Sequence, residues 1–213
     1  MIKAVFFDFD GVIVESVDIK TAAFAKVFKG EGDEVVQKVI DYHVRNTGVS
    51  RYDKFKYIYK EILSRPLTDA KFGELCDNFA AIVLDEVIKA PYVKGALEFL
   101  KDSVKQYKYF IVSATPQDEI EGIVKARGIS GFFEKAYGAP TKKADAVREA
   151  LDSYKIKPRE AAYIGDAMSD YAAAKENSVN FIARLSGGEN VFEGISCIKI
   201  KDLSVLDGIV KGL

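Results

Sequence analysis

Histidine is nearly absent. The 213-residue chain has one, His43, with two cysteines, two methionines, five prolines and no tryptophan. A single imidazole leaves little material for histidine-based phosphoryl chemistry or for a multi-histidine zinc centre, and His43 reads most simply as a partly buried structural residue, with substrate contact as the minority reading. Cys76 and Cys197 lie far apart and lack metal-ligand spacing. Cys76 falls on an apolar helical stripe and Cys197 in an expected strand, so both read as small core residues in a reducing, cytoplasmic setting. Charge of one sign is lacking too: 31 Lys and Arg face 32 Asp and Glu, for a net −1. No net field points to nucleic acid or to a membrane surface. No apolar stretch is long enough to span a bilayer, and the first residues enter an apolar strand that already carries carboxylates, so no signal peptide is expected. Internal repeats and low-complexity linkers are missing as well. The length suits one large domain or a domain with an insertion, and nothing in the composition sets an oligomeric state.

What is present starts at Val5-Phe6-Phe7-Asp8-Phe9-Asp10-Gly11. Alternation along a strand starts Asp8 and Asp10 on the same side. Gly11 allows a sharp turn that brings backbone N–H groups close to whatever Asp8 touches. A carboxylate nucleophile, a second carboxyl for proton transfer and a hard cation are the chemistry such a pair suits. Taken alone, the motif also fits a strand ending in a surface Asx turn. Later segments repeat the pattern. Tyr109-Phe110-Ile111-Val112 stops at Ser113-Ala114-Thr115-Pro116, and Ala161-Ala162-Tyr163-Ile164 stops at Gly165-Asp166, with Asp170 following. Short apolar runs bounded by turn residues, with helical spacing between them, predict buried parallel strands in an α/β fold. Ligands of open α/β sheets gather at the carboxyl ends of strands, where Asp8, Asp10, Ser113 and Asp166 are placed. Thr115 reads as a helix N-cap with Pro116 at the first helical position, and a helix start there favours an anion. Asp166 and Asp170 with Asp8 offer an oxygen-rich site for Mg²⁺. Lys142 or Lys143 offsets a phosphoryl group and the crowded carboxylates.

Residues 17–88 read differently. They contain no convincing strand. Phe55, Ile58, Tyr59 and Ile62 recur at helical spacing, as do Phe72, Leu75, Cys76, Phe79 and Val83. Ser50 and Asp53 form a capping-box pattern, and Pro66 and Thr68 separate two helices.

Together these segments resemble the haloacid dehalogenase superfamily of phosphohydrolases, in its phosphoglycolate phosphatase and β-phosphoglucomutase-like branch. The resemblance covers most of the chain. It implies a three-layer, doubly wound parallel sheet with the first strand central, residues 1–15 and 89–213 forming the core and 16–88 a helical cap, hinged near 14–16 and 89–93. It implies Asp8 as nucleophile and Asp10 as acid and base, with a raised pKa helping Asp10 carry the first proton. Gly11, Ser113, Ala114 and Lys143 (Lys142 remaining open) are assigned to the phosphoryl group, and Asp8, the Asp10 carbonyl, Asp166 and Asp170 to Mg²⁺, with Asp170 alternatively partnering the lysine. Arg45, Ser50, Arg51 and Lys54 of the cap are the specificity candidates, dense in oxyanion-binding groups; a solvated turn between helices is the competing reading. Lys20 stands where related caps often have histidine, and Glu15 in the hinge touches substrate or caps the next helix.

The implied activity is Mg²⁺-dependent hydrolysis of a small soluble phosphomonoester. A sugar phosphomutase is the nearest rival. A haloalkanoate dehalogenase lacks the second motif aspartate, which Asp10 supplies here, and a phosphonate-cleaving branch replaces it with alanine. A non-catalytic phosphate- or partner-binding module is the alternative of another class.

Overall fold

The computed structural model of the chain describes residues 1–186 and 190–213. β1 (Ala4–Phe7) is wholly buried, as a strand covered on both faces must be, and every residue in it is apolar. It lies inside a six-stranded sheet ordered β3-β2-β1-β4-β5-β6. The other strands are β2 (Lys108–Pro116), β3 (Phe133–Ala139), β4 (Ala161–Gly165), β5 (Asn180–Arg184) and β6 (Ile198–Ile200), and every pairing is parallel. Val5 and Phe7 face one apolar layer, which contains Phe99 and Leu100 of α5 (Ala96–Ser103), Ile120 and Ile123 of α6 (Gln117–Ala126) and Val210 of α9 (Leu206–Gly212). Ala4 and Phe6 face the other, with Ala146, Val147 and Ala150 of α7 (Lys143–Ser153) and Ala173 and Ala174 of α8 (Met168–Glu176). Chain order reverses direction across the sheet at β1, between β2 and β4, so the crevice for a ligand opens above β1.

Between β1 and α5 stands a helical block: α1 (Val17–Val27), α2 (Asp33–Arg45), α3 (Arg51–Tyr57) and α4 (Asp69–Lys89). Ser50 caps α3 by accepting from the Asp53 N–H at 3.2 Å, and Thr68 caps α4 through the Lys71 N–H at 3.3 Å. The Ser50 box is one-sided, since the Asp53 carboxylate takes the Ser50 hydroxyl. After Tyr57 the helix widens into a π turn over Ile58–Ile62. Phe24, Phe55 and Phe79 pack at tilted and edge-on angles in the middle of the block, ring centroids 4.7–6.0 Å apart. The two chain segments joining block and sheet pair with each other: the Glu15 N–H donates to the Pro91 carbonyl and the Val93 N–H to that of Ile13.

Two local expectations are corrected. β2 runs through Thr115 and Pro116, and α6 begins at Gln117. Thr115 therefore caps nothing, because its hydroxyl is drawn to Asp10. Cys197 precedes β6 and is only half-buried, as is Cys76 on α4, so neither is a fully buried core residue.

Candidate active site

Asp8 is the first residue after β1, and Asp166 the first after β4. Adjacent parallel strands in register bring their ends together, so carboxylates distant in sequence become neighbours. The carboxylates of Asp8, Asp166 and Asp170 each offer an oxygen, all within 4.8 Å of one another. Asp170 comes from the first turn of α8 and has no exposed surface. Lys143, the first residue of α7, donates to Asp8 Oδ2 at 2.9 Å and to Asp170 Oδ1 at 2.7 Å. Lys142 is exposed, so the geometry separates the two lysines that the spacing alone left open. Asp170 Oδ1 also accepts from the Tyr163 hydroxyl, and its Oδ2 from the Ala167 N–H. Asp170 is thus spent on orienting Lys143, whereas Asp166 keeps its oxygens free of side-chain partners among the described residues.

The electrostatics follow from this crowding. The Asp8 carboxyl is raised to about 7, chiefly by burial, with Lys143 pulling it down and the Asp170 and Asp10 charges adding to the rise. Asp166 is held well above the usual carboxylate range by burial and by the charges of Asp8 and Asp170. Burial works against the Lys143 ammonium, but Asp170 and Asp8 outweigh it and keep the lysine charged. Three buried carboxylates and one lysine leave negative charge over, and an all-oxygen donor set of this kind suits a hard divalent cation such as Mg²⁺.

Gly11 sits at φ +76°, and a Cβ there would lie 2.1 Å from Asp166 Oδ2. Only glycine lets the loop after β1 press against Asp166. The Gly11 N–H is already given to the Val14 carbonyl at 2.8 Å, so it is not offered to a ligand, contrary to its expected phosphate-binding role. The Phe9 N–H donates to Asp8 Oδ1 at 2.7 Å. Ser113 is buried near the end of β2 and accepts from the Thr115 N–H at 3.1 Å. Ala114 lines the cavity beside Asp8 and Asp10.

Asp10 departs from expectation. Its carboxylate accepts from Lys20 Nζ, from Ser16 Oγ at 2.6 Å and from Thr115 Oγ1 at 3.1 Å. Burial raises its pKa, yet the Lys20 charge and the hydrogen bonds from Lys20, Ser16 and Thr115 bring it below the usual value. Asp10 is therefore ionised here, not poised with a raised pKa. Lys20 comes from α1, so the helical block reaches directly into the site.

The remaining block residues divide. Lys54 is buried, lines the cavity and bonds His43 Nδ1 at 2.8 Å. Burial, with the charges of Lys20 and Lys143, brings Lys54 down to about 7. Burial and the Lys54 and Lys20 charges hold His43 neutral, its pKa down at about 3. Arg51 is also buried, but its guanidinium is clamped by both oxygens of Glu119 on α6 and lies over the Phe79 ring. Arg45 is exposed and outside this cavity but lines the neighbouring cleft that reaches Asp166, and Ser50 is engaged in capping. Glu15 neither caps a helix nor meets the cavity: it forms a bidentate pair with buried Arg184, which also donates to the Gly11 carbonyl. Sequence reasoning missed Thr115, Arg184 and Glu119 as partners; no local pattern marks them. The cavity around Asp8 and Lys54 holds about 50 Å³ of free space, room for one or two waters, and a neighbouring cleft of about 580 Å³ between Val17 and Thr47 of the block and Arg184 and Phe192 of the core also reaches Asp166.

Comparison with known proteins agrees with this architecture. Residues 5–184 match the family of haloacid dehalogenase-like hydrolases. The chain is 24% identical over 215 aligned positions to a "Phosphorylated carbohydrates phosphatase" of Thermotoga maritima, covering 96% of this chain and 97% of that one. In three dimensions it resembles β-phosphoglucomutase from Clostridium difficile (TM-score 0.80, 17% identity, 99% and 96% of the two chains). A predicted phosphoglycolate phosphatase from Haemophilus somnus is similar at a TM-score of 0.78 (16% identity, 98% and 97%). The molecule is an α/β hydrolytic enzyme with a carboxylate-lined site. It belongs to the haloacid dehalogenase-like hydrolase family.

Proposed function

We propose that this enzyme is a Mg²⁺-dependent phosphatase of small phosphorylated carbohydrates and related phosphomonoesters, working through a phosphoryl group on Asp8. One observation carries the reading: Asp8 is a buried carboxylate at the carboxyl end of the central strand, facing the cavity, with Lys143 and Asp166 beside it. The family match and the Thermotoga maritima relative support it.

Asp8, Asp166 and the Asp10 carbonyl would hold Mg²⁺, with Asp170 beside them as the partner of Lys143. Bound there, Mg²⁺ supplies the positive charge that lets a carboxylate approach a phosphate dianion. Ser113, the Ala114 N–H and Lys143 stabilise the phosphoryl oxygens as charge shifts among them. Asp8 attacks phosphorus, the bond from phosphorus to the ester oxygen breaks, and Asp10 delivers a proton to the departing oxygen. The Lys20 ammonium, which already donates to Asp10, is the proton source within hydrogen-bond reach. Asp10 then takes a proton from the attacking water as its oxygen bonds to phosphorus and the bond from Asp8 to phosphorus breaks; that proton returns to Lys20, and phosphate leaves. Residues 16–88 act as the cap that excludes water. With only about 50 Å³ free around Asp8, the cap opens for a sugar-sized ester to reach it.

A phosphomutase reading draws on the fold shared with β-phosphoglucomutase. The test is phosphate release from a panel of phosphomonoesters, with Mg²⁺ or EDTA, by wild type and Asp8→Asn. Release that needs Mg²⁺ and is lost in the variant supports a phosphatase. Isomerisation of a sugar monophosphate on adding its bisphosphate, without net release, supports the mutase instead.

A further inference from the structure

We propose that Lys54 and His43 form a subsite for a second oxyanion, a carboxylate or a second phosphate, carried by the part of the substrate that leaves. The proposal builds on the phosphatase reading, which defines what leaves, and narrows its substrate class. It rests on how the cations around the cavity are used. Lys143 is paired with Asp8 and Asp170, Lys20 with Asp10, and Arg51 with Glu119. Among the described residues Lys54 has no carboxylate partner, although it is only 2% exposed. Its one hydrogen bond goes to His43 Nδ1. An ammonium has three N–H groups, so two remain to be satisfied.

Without an opposite charge the buried ammonium form of Lys54 is costly, and an arriving anion stabilises that form better than a neutral hydroxyl does. His43 adds to the deficit. With Lys54 donating to Nδ1, the ring proton sits on Nε2, and Nε2 is buried without a partner. Both residues line the same cavity as Asp8 and Asp10. Lys54 stands on the cap wall of that cavity and Asp8 on the core wall. A substrate whose phosphoryl group meets Asp8 therefore turns its other end to Lys54.

Calorimetric binding to Asp8→Asn in Mg²⁺, which removes turnover, tests this with two matched pairs. Phosphoglycerate against glycerol phosphate isolates a carboxylate; fructose bisphosphate against fructose monophosphate isolates a second phosphate. Binding at least about tenfold tighter for the more anionic member of one pair is expected, from a charge-assisted contact in a dry site. The pair that shows it identifies the oxyanion. Adding Lys54→Met should bring that ratio to about one, and Lys54→Arg should retain part of it. Ratios near one in both pairs with Lys54 present overturn the proposal, whether or not the Met variant folds. So does an equal loss for both members in Lys54→Met, which would assign Lys54 to the phosphoryl group. Wild-type turnover is scored separately. A binding preference without phosphate release from any ester leaves the subsite standing and removes the phosphatase reading; release without preference does the reverse.

Discussion

At the scale of single residues the site is a problem of surplus negative charge. Asp8 has its carboxyl raised to about 7 chiefly by burial. The folded metal-free protein therefore binds a proton that the unfolded chain gives up near pH 4, so stability falls as pH rises from about 4 to 7. At about 1.4 kcal/mol for each tenfold change in proton affinity, Asp8 alone accounts for up to about 4 kcal/mol. Asp8→Asn is expected to be the more stable protein in EDTA at pH 7.5, with the difference shrinking toward pH 5; urea titrations at the two pH values measure it. Asp10 is the opposite case, held ionised by Lys20. Removing the ammonium in Lys20→Met leaves burial dominant, so the Asp10 titration midpoint moves to higher pH, readable by carboxyl-carbon NMR. An unmoved midpoint would dissociate Lys20 from the acid–base step. The strand-end placement of Asp8, Asp10 and Asp166 was legible, because each closes an apolar run at a turn. The pairs Lys20–Asp10, Arg51–Glu119 and Glu15–Arg184 were not, since charge pairing across 10, 68 and 169 positions has no local period.

At the scale of elements, short helices and tight turns bring the helical block's side chains to the site. α3 is only seven residues long, and a helix that short depends on its cap and packing more than on propensity. Ser50→Ala should cost about 1 kcal/mol, the usual value of a lost N-cap, visible as a lower unfolding midpoint. Gly48 precedes α3 at φ +78°, and a Cβ there would lie 2.3 Å from Ser169 Oγ and 2.7 Å from Ala167 Cβ. The Gly48 carbonyl accepts from that same Ser169 hydroxyl at 3.2 Å. Gly48→Ala should therefore hold the cap turn away from the β4–α8 loop and lower kcat/KM at least about tenfold, the loss that misplacement of catalytic groups brings. Element types followed from periodicity and from Ser50 and Thr68. The helix start near Thr115 did not, because a long-range hydrogen bond to Asp10 outweighs the local capping pattern.

At the scale of the whole molecule, the helical block and the α/β core share one apolar cluster, and polar contacts join them around the cavity above Asp8. The Arg51–Glu119 clamp, the Lys20–Asp10 pair and the Ser169–Gly48 hydrogen bond hold block and core together there. Arg51→Ala and Glu119→Ala should each favour the open arrangement, and the double variant should add little to either, as expected for two ends of one interaction. Small-angle scattering and the KM for a common ester report it together; additive effects would mean that Arg51 acts on something other than Glu119. The layered α/β core and the strand-free block were visible in the pattern of apolar runs, whereas the closed fit between them depends on contacts that only the folded chain creates.

The central claim is that Asp8 takes the phosphoryl group. Acid-quenched Asp10→Asn, exposed to p-nitrophenyl phosphate and Mg²⁺, tests it most directly. The leaving phenolate needs little protonation, while hydrolysis of the intermediate lacks its base. Peptide mass spectrometry should then find a phosphoryl group on Asp8. Nitrophenolate release with Asp8 unmodified, or with the phosphoryl group on another residue, would contradict the account.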